Sequence, residues 1–272
     1  MFNQDNSENL ISSYNTVCSA KVREVANNSG ITPFETELKF LRNGVVPLKY
    51  LKTVQAIGLE KMIQLRLSKV AVLGCGGVGG FLCETLTRMG IGSILAIDGD
   101  IYDETNLNRQ LYSYEDNIGK PKSKVTWEML CRINSISKIS YFDQKLSVDN
   151  FLECIGDSSV VVDAIDRLDD RLSFSHICGN HGIPYFFGNI GSSDFRVGIQ
   201  SQQSNLVERI FKNTNITDPA EGCPVITAGL CGIALAGEVI KYLLGIEGVL
   251  LDKIMQVNWH QNECVIIDLA LT

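Results

Sequence analysis

Two stretches of this 272-residue chain carry residue types that could do chemistry together. In the first, Gly74, Gly76, Gly77 and Gly79 follow an apolar run, and a second apolar run closes on Asp98-Gly99-Asp100. In the second, Asn106, Arg109 and Gln110 precede Lys120 and Lys122, and Asp163 and Asp166 end a later apolar run. Glycines let a turn close and let backbone N–H groups approach a phosphate at a helix N-terminus, where the helix dipole favours negative charge. An acid ending the next strand is placed to bind a ribose hydroxyl. An arginine and a lysine are the cationic clamp that a transferring phosphoryl centre needs, and an isolated carboxylate can hold Mg²⁺. The set suits a nucleoside triphosphate better than NAD, which needs no Arg–Lys pair on its phosphates and no metal-binding acid.

The elements that must position these residues follow from periodicity. Residues 70–73 have the length and branching of a buried parallel strand, and Phe81, Leu82, Leu86 and Met89 recur at helical spacing. With the run at 94–97 they predict a mononucleotide-binding βαβ unit. An amphipathic helix is expected at 122–134, carrying Val125, Met129 and Ile133 on one face. Strands are expected at 139–142, 160–162, 183–189 and 195–200, and helices at 148–155 and 172–180. The run 166–171 otherwise reads as a solvated helix start, its acids favoured by the dipole. Residues 201–222 are polar and poorly periodic, a long excursion of the kind that usually carries function. A long apolar helix at 224–244, interrupted by Gly229, Gly232 and Gly237, precedes an antiparallel pair at 254–259 and 264–269. The order predicts an α/β fold: a Rossmann-like, doubly wound mixed sheet with terminal antiparallel strands and a short N-terminal extension. That extension, residues 1–45, is polar with a helix near 19–26 and either a helix turn or a short strand at 36–41. Residues 46–272 form the main domain, entered through one or two short helices.

A formal charge of −7 leaves no footprint for nucleic acid or an anionic membrane. No apolar run is expected to reach the length of a membrane span, and the polar start, MFNQDNSENL, lacks the basic and apolar regions of a signal peptide. A cytoplasmic protein is expected. Its nine cysteines are odd in number and never spaced C-x-x-C, so reduced thiols, most of them buried, are expected and no structural zinc. His176, His181 and His260 are scattered and read as structural.

In order along the chain stand GCGGVG, DGD, TNLNRQ, GKPK and DAID. This series resembles the HesA/MoeB/ThiF group, bacterial relatives of the ubiquitin-activating enzymes, over about residues 47–269. The resemblance implies an ATP-dependent adenylation in which a carboxylate attacks the α-phosphate, giving an acyl adenylate and pyrophosphate. It implies that Gly74, Gly76, Gly77 and Gly79 form the nucleotide turn and that Asp98 holds the ribose. Asn106, Arg109 and Lys122 would contact the triphosphate, Asp166 would hold Mg²⁺, and Asp100 and Gln110 would belong to the same site. Asp163 is ranked below Asp166 as a metal ligand, as a residue that orients its neighbours, and Lys120 is placed on solvated surface. The implied substrate is the C-terminal glycine of a ubiquitin-like or sulfur-carrier protein ending in Gly-Gly.

Three departures from the family pattern stand out. The N-terminal R-Y-x-R, whose second arginine reaches the partner subunit's ATP, appears as Lys49-Tyr50-Leu51-Lys52. Lys52 keeps the charge without the bidentate fork, and its role in trans would require a homodimer. The zinc-binding C-x-x-C pairs of some members are missing. Where thioester-forming members carry their thiolate, counting back from the final helix gives Asp218. Cys223 follows at the helix start, where the dipole could lower its pKa but where a packing role is favoured. The alternatives are adenylation of a small-molecule or tRNA-borne carboxylate, as in dehydratase relatives, and a non-catalytic nucleotide-binding module. An NAD-binding oxidoreductase ranks last. Residues 1–45 could recognise the partner protein or cover the site.

Overall fold

In the computed structural model, which describes residues 14–202, 204–213 and 222–268, residues 14–45 of the polar N-terminal extension have a definite fold. Strand β1 (Asn15–Val17) pairs in parallel with β2 (Val45–Pro47), and helices α1 (Ser19–Ser29) and α2 (Pro33–Arg42) connect them. Thr32 and Glu35 cap the start of α2 reciprocally, ahead of Pro33. Of the helix turn or short strand expected at 36–41, the helix is the one formed, as part of α2. Its inner face carries Glu37, fully buried, which forms ion pairs with Lys49 at 2.6 Å and with the equally buried Arg66 at 2.9 Å. Arg66 also donates to Ser137 Oγ at 2.7 Å and lies over the rings of Phe34 and Tyr50. Phe34 packs where Gly92 leads into the sheet. The described part of the extension thus sits at the N-terminal ends of the parallel strands, away from the strand tips where doubly wound folds bind ligands. It does not cover its own chain's site.

Short helices α3 (Leu51–Ile57) and α4 (Leu59–Leu67) lead into β3 (Lys69–Leu73), and α5 (Gly77–Met89) returns to β4 (Ser93–Ile97). Helix α6 (Lys122–Ile133), strand β5 (Lys138–Phe142), helix α7 (Phe151–Ile155), strand β6 (Val160–Asp163), helix α8 (Leu168–Asn180) and strand β7 (Tyr185–Ile190) continue the winding. The chain then turns antiparallel through β8 (Asp194–Gln200), with α9 (Leu206–Asn213) and α10 (Val225–Leu243) ahead of β9 (Lys253–Asn258) and β10 (Glu263–Asp268). The sheet order is β10-β9-β8-β7-β6-β3-β4-β5, parallel from β7 to β5 and antiparallel beyond. Strand order reverses between β3 and β6, which opens a crevice at their C-terminal ends.

Alternation along β3 supplies both faces of the core. Val70 and Val72 join Leu82, Leu86, Phe186 and Leu235 under α5, α6 and α10. Ala71 and Leu73 join Phe151, Val161, Phe174 and Phe187 under α7, α8 and α9. Within the excursion expected at 201–222, Leu206, Val207, Ile210 and Phe211 form a buried helical stripe. Its short amphipathic period was hidden among polar neighbours, and residues 214–221, with Asp218, lie outside the described residues. One expectation is corrected by α10, which has the length and apolarity of a membrane span, with a mean hydropathy of 1.5. More than half of it is buried against α5 and the sheet, and it carries Glu238 and Lys241. Its apolar length serves the core.

Removing one partner from a fully buried ion pair strands the other charge. Arg66→Ala should therefore lower unfolding free energy by about 3–5 kcal/mol, measured by urea denaturation of the full chain. A loss below about 1 kcal/mol would show that the pair behaves like a surface one.

Candidate nucleotide site

The crevice is a cleft of ≈ 580 Å³ lined by Gly74, Gly76, Gly77, Asp98, Arg109, Gln110, Lys122, Asp166 and Cys223 among others. Its floor is the turn between β3 and α5. Gly74 has φ +89°, and a Cβ there would lie 2.7 Å from the Ala164 carbonyl oxygen at the end of β6. A Cβ on Gly79 would lie 1.9 Å from the Gly74 oxygen. Both positions require glycine, the first for its left-handed backbone as well as for space. Gly76 caps α5 without any side-chain bond, so the helix presents its first N–H groups, and its positive dipole end, to the cleft.

Asp98 follows β4 on the opposite wall. Its Oδ2 accepts from Cys75 N–H at 2.7 Å and its Oδ1 from Asp100 N–H at 2.8 Å. Burial raises its pKa above the usual carboxylate value, against the pull of those two N–H groups and Lys122. Lys122 opens α6. Its backbone N–H is held by the Asp100 carbonyl at 2.9 Å, and its largely buried ammonium lies 3.6 Å from the exposed Asp100 carboxylate. Arg109 reaches the cleft from the segment after β4, steadied by the Thr105 carbonyl at 3.0 Å and Asn108 Oδ1 at 2.9 Å. Gln110 is buried beside it, and its Oε1 has no hydrogen-bond partner among the described residues.

Asp163 and Asp166 occupy different environments. Asp166 is exposed in the cleft. Asp163 is fully buried, pairs with Arg171 at 2.7 Å and accepts from Tyr185 OH at 2.7 Å and Ile165 N–H at 2.8 Å. Its surroundings match an orienting role. Arg171 is the residue that sequence reasoning missed, read as part of a solvated helix start yet 3% exposed. Its eight-residue spacing from Asp163, which spans a strand tip and the first turn of a helix, was the available signal.

Not every expected residue reaches the cleft. Asn106 is buried, and its side chain holds Asp103 through both amide atoms, at 3.2 Å each. Lys52 is exposed on α3, outside the cleft lining. Lys120 instead lines a larger, shallower groove of ≈ 790 Å³ beside α6, which has no glycine cradle. The three histidines are exposed and apart from the cleft. Cys223 is half-buried at the cleft edge, where Asn108 Nδ2 donates to its carbonyl at 3.1 Å. Burial raises its thiol pKa and Arg109 opposes the rise, so the lowering expected from the helix dipole is outweighed.

The residues fit a nucleoside triphosphate: an uncapped helix start and a glycine cradle share one cleft with the basic side chains of Arg109 and Lys122. Among the described residues no cluster of three or more His, Cys, Asp or Glu could hold a metal ion. Mg²⁺ commonly binds through one or two carboxylates plus substrate phosphates, so Asp166 fits that ion in company with a triphosphate.

The family model that matches this chain is the ThiF family, over residues 50–269. The SAMP-activating enzyme E1 of Haloferax volcanii is 26% identical over 72% of this chain and 74% of its own length. A probable molybdopterin-synthase adenylyltransferase of Porphyra purpurea is 28% identical over 74% of this chain, and the match spans only 55% of that relative. The tRNA threonylcarbamoyladenosine dehydratase of Bacillus subtilis is 36% identical over 47% of this chain and 51% of its own. Among solved structures, E. coli MccB with ATP superposes with a TM-score of 0.70 at 20% identity, covering 81% of this chain and 71% of that one. This last likeness concerns the fold.

In the ribose-holding role that the family resemblance implies, Asp98 accepts a hydroxyl as a carboxylate, in addition to its two backbone bonds. With its pKa raised, protonation sets in at a higher pH than for an ordinary aspartate. Affinity for an adenine nucleotide should therefore fall as pH is lowered through that raised value, and Asp98→Asn should remove this acid limb. Calorimetric titration across pH checks both outcomes.

Proposed function

The chain belongs to the ThiF family, and from that premise we propose that it is an ATP-dependent adenylyltransferase whose substrate is the C-terminal glycine of a ubiquitin-like or sulfur-carrier protein. The observation that carries this reading is the convergence of Arg109, Lys122, Asp98, Asp166 and the open end of α5 in one cleft. A substrate carboxylate oxygen attacks the α-phosphorus, the bond to the β-phosphate oxygen breaks, and pyrophosphate leaves with the electron pair. Charge accumulates on the phosphoryl oxygens, and the two cations and the α5 N–H groups are already placed to meet it. Asp98 holds the ribose, and the glycine turn lets the triphosphate lie against backbone. Mg²⁺ held by Asp166 would neutralise charge on the departing pyrophosphate.

The proposal includes a homodimer. Lys52 lies outside its own cleft, as a residue serving the other protomer would, and Ile226, Leu230 and Ile233 form an exposed apolar stripe on α10. A cytoplasmic location belongs to the same reading, supported by nine unpaired cysteines. The dehydratase relative supports a second reading, adenylation of a tRNA-borne carboxylate. The net charge of −7 weighs against an RNA substrate.

ATP–pyrophosphate exchange tests the reading, run with the protein alone and with small proteins ending in Gly-Gly. Exchange that depends on such a protein is the expected result. Exchange without one would assign a small carboxylate instead, and nucleotide binding with no exchange under either condition would leave a binding module. Arg109→Ala should reduce the rate by about 10²-fold or more, and Asp166→Ala should abolish Mg²⁺-dependent turnover with the fold intact. Cys223→Ser should leave exchange unchanged.

A further inference from the structure

Asp166 sits on a short segment between β6 and α8 that has no regular structure of its own. What holds it is the backbone of its neighbour. The Ile165 N–H donates to Asp163 Oδ1 at 2.8 Å, and the Ile165 carbonyl accepts from Arg171 Nη2 at 2.5 Å. Arg171 Nη2 also donates to the Gly188 carbonyl in β7 at 2.9 Å, while its Nε pairs with Asp163. A guanidinium needed only as counterion to Asp163 would not require these carbonyls.

The other side of the same guanidinium faces the Phe211 ring, 4.8 Å from its centroid. Phe211 lies on α9 and packs edge-on against Phe187 at 5.9 Å between centroids. Leu206, Val207 and Ile210 bury the rest of that helix face. The described chain resumes after α9 at Gly222 and Cys223, both on the cleft lining. One buried cation therefore touches the Asp166 segment, the strand behind the cleft and the helix that begins the excursion back to the cleft.

We propose that Arg171 is a positioning residue that couples the seating of α9 to the placement of Asp166. The inference rests on the adenylation reading for what Asp166 does, while the coupling itself is a property of the fold. The cation–π contact of Phe211 with the guanidinium orients the fork whose Nη2 holds Ile165. When α9 is seated, Asp166 is presented to the cleft. When α9 lifts, the fork loses one of its walls and the segment loosens.

Phe211→Leu tests this, because leucine keeps an apolar group in the pocket and removes only the ring face. Phe211 is not among the residues that line the cleft. Hydrogen–deuterium exchange on the full-length free protein should show the amides of residues 164–168 exchanging about tenfold faster, with β3 and β4 unchanged. Arg171→Lys, which retains the charge without the fork, should do the same, and a packing role alone would be rescued by both variants. Wild-type exchange at 164–168 in Phe211→Leu would overturn the coupling. In a second arm, nucleotide binding is titrated with Mg²⁺. The variants should need several-fold more Mg²⁺ for half-maximal binding while metal-free affinity stays at the wild-type level. An unchanged Mg²⁺ requirement would overturn the positioning of Asp166. A wild-type protein that binds no nucleotide would sink the adenylation reading, and the exchange arm would still decide the coupling.

Discussion

The architecture depends on how closely β3 and β6 end beside one another. The Ala164 carbonyl stands where a side chain on Gly74 would have to go, and the Gly74 carbonyl stands where one on Gly79 would. Backbone meets backbone twice within a single turn. This contact starts α5 directly over the tip of β6, so its uncapped N–H groups and the Asp166 segment face the same space. Any Cβ at either position would push the helix start away from the strand tip and widen the cleft where charge must be concentrated. The open N-terminal end of the helix and the candidate metal-binding carboxylate are close because of one backbone contact, before any polar side chain contributes.

Two buried ion pairs then secure what surrounds that contact, at opposite ends of the parallel strands. Glu37 with Arg66 joins the N-terminal extension to the sheet's N-terminal edge, and Asp163 with Arg171 braces the C-terminal edge. Neither pair is a strong source of net stability, since desolvation offsets most of the Coulomb attraction and apolar residues of similar volume could replace them. Their consequence is directional. An apolar cluster would tolerate rotation of α2 on the sheet or drift of residues 164–167. A guanidinium with a fixed fork of donors permits one arrangement of the carbonyls and hydroxyl around it. Arg66 uses that fork on Ser137 and Glu37 to place a docking element, and Arg171 uses it on Ile165 and Gly188 to place a site.

Legibility in the sequence follows the range of the interaction concerned. The strand–turn–helix–strand unit was readable because its signal is local: a branched apolar run, glycines and an acid within about one βαβ unit. The antiparallel end was readable from short apolar runs around Gln261-Asn262, where Asn262 does adopt φ 58°. Arg171 was not readable, because a charged residue among Asp169 and Asp170 at a helix start has the composition of a solvated turn. Only the fold brings Asp163, Tyr185 and the Gly188 carbonyl around it. α9 was missed for a different reason, since eight residues give two apolar pairs and no longer period to set against a polar background. Asn106 shows the converse case. Its motif placed it near phosphate, while the local geometry turns its amide back onto Asp103, a three-residue bond that competes for the side chain wherever Asp and Asn are so spaced.

The resting charge balance of the cleft bears on how it meets a triphosphate. Lys122 is largely buried and its nearest carboxylate, Asp100, is exposed and 3.6 Å away, too long for a tight ion pair. A buried ammonium with no anion near it would be costly, and one locked to a buried carboxylate would be unavailable. Asp100 offers an intermediate: a counter-charge within reach of the ammonium, and enough solvent to be displaced cheaply. An entering phosphate can take its place without stranding a buried charge, because the released carboxylate is already in water. Asp98 cannot serve that purpose, since its oxygens are engaged by two backbone N–H groups and fix the turn. The two aspartates of the D-G-D motif therefore divide the work by their exposure. The half-buried one braces the glycine turn, and the exposed one leaves its cation free for the triphosphate of the proposed reaction.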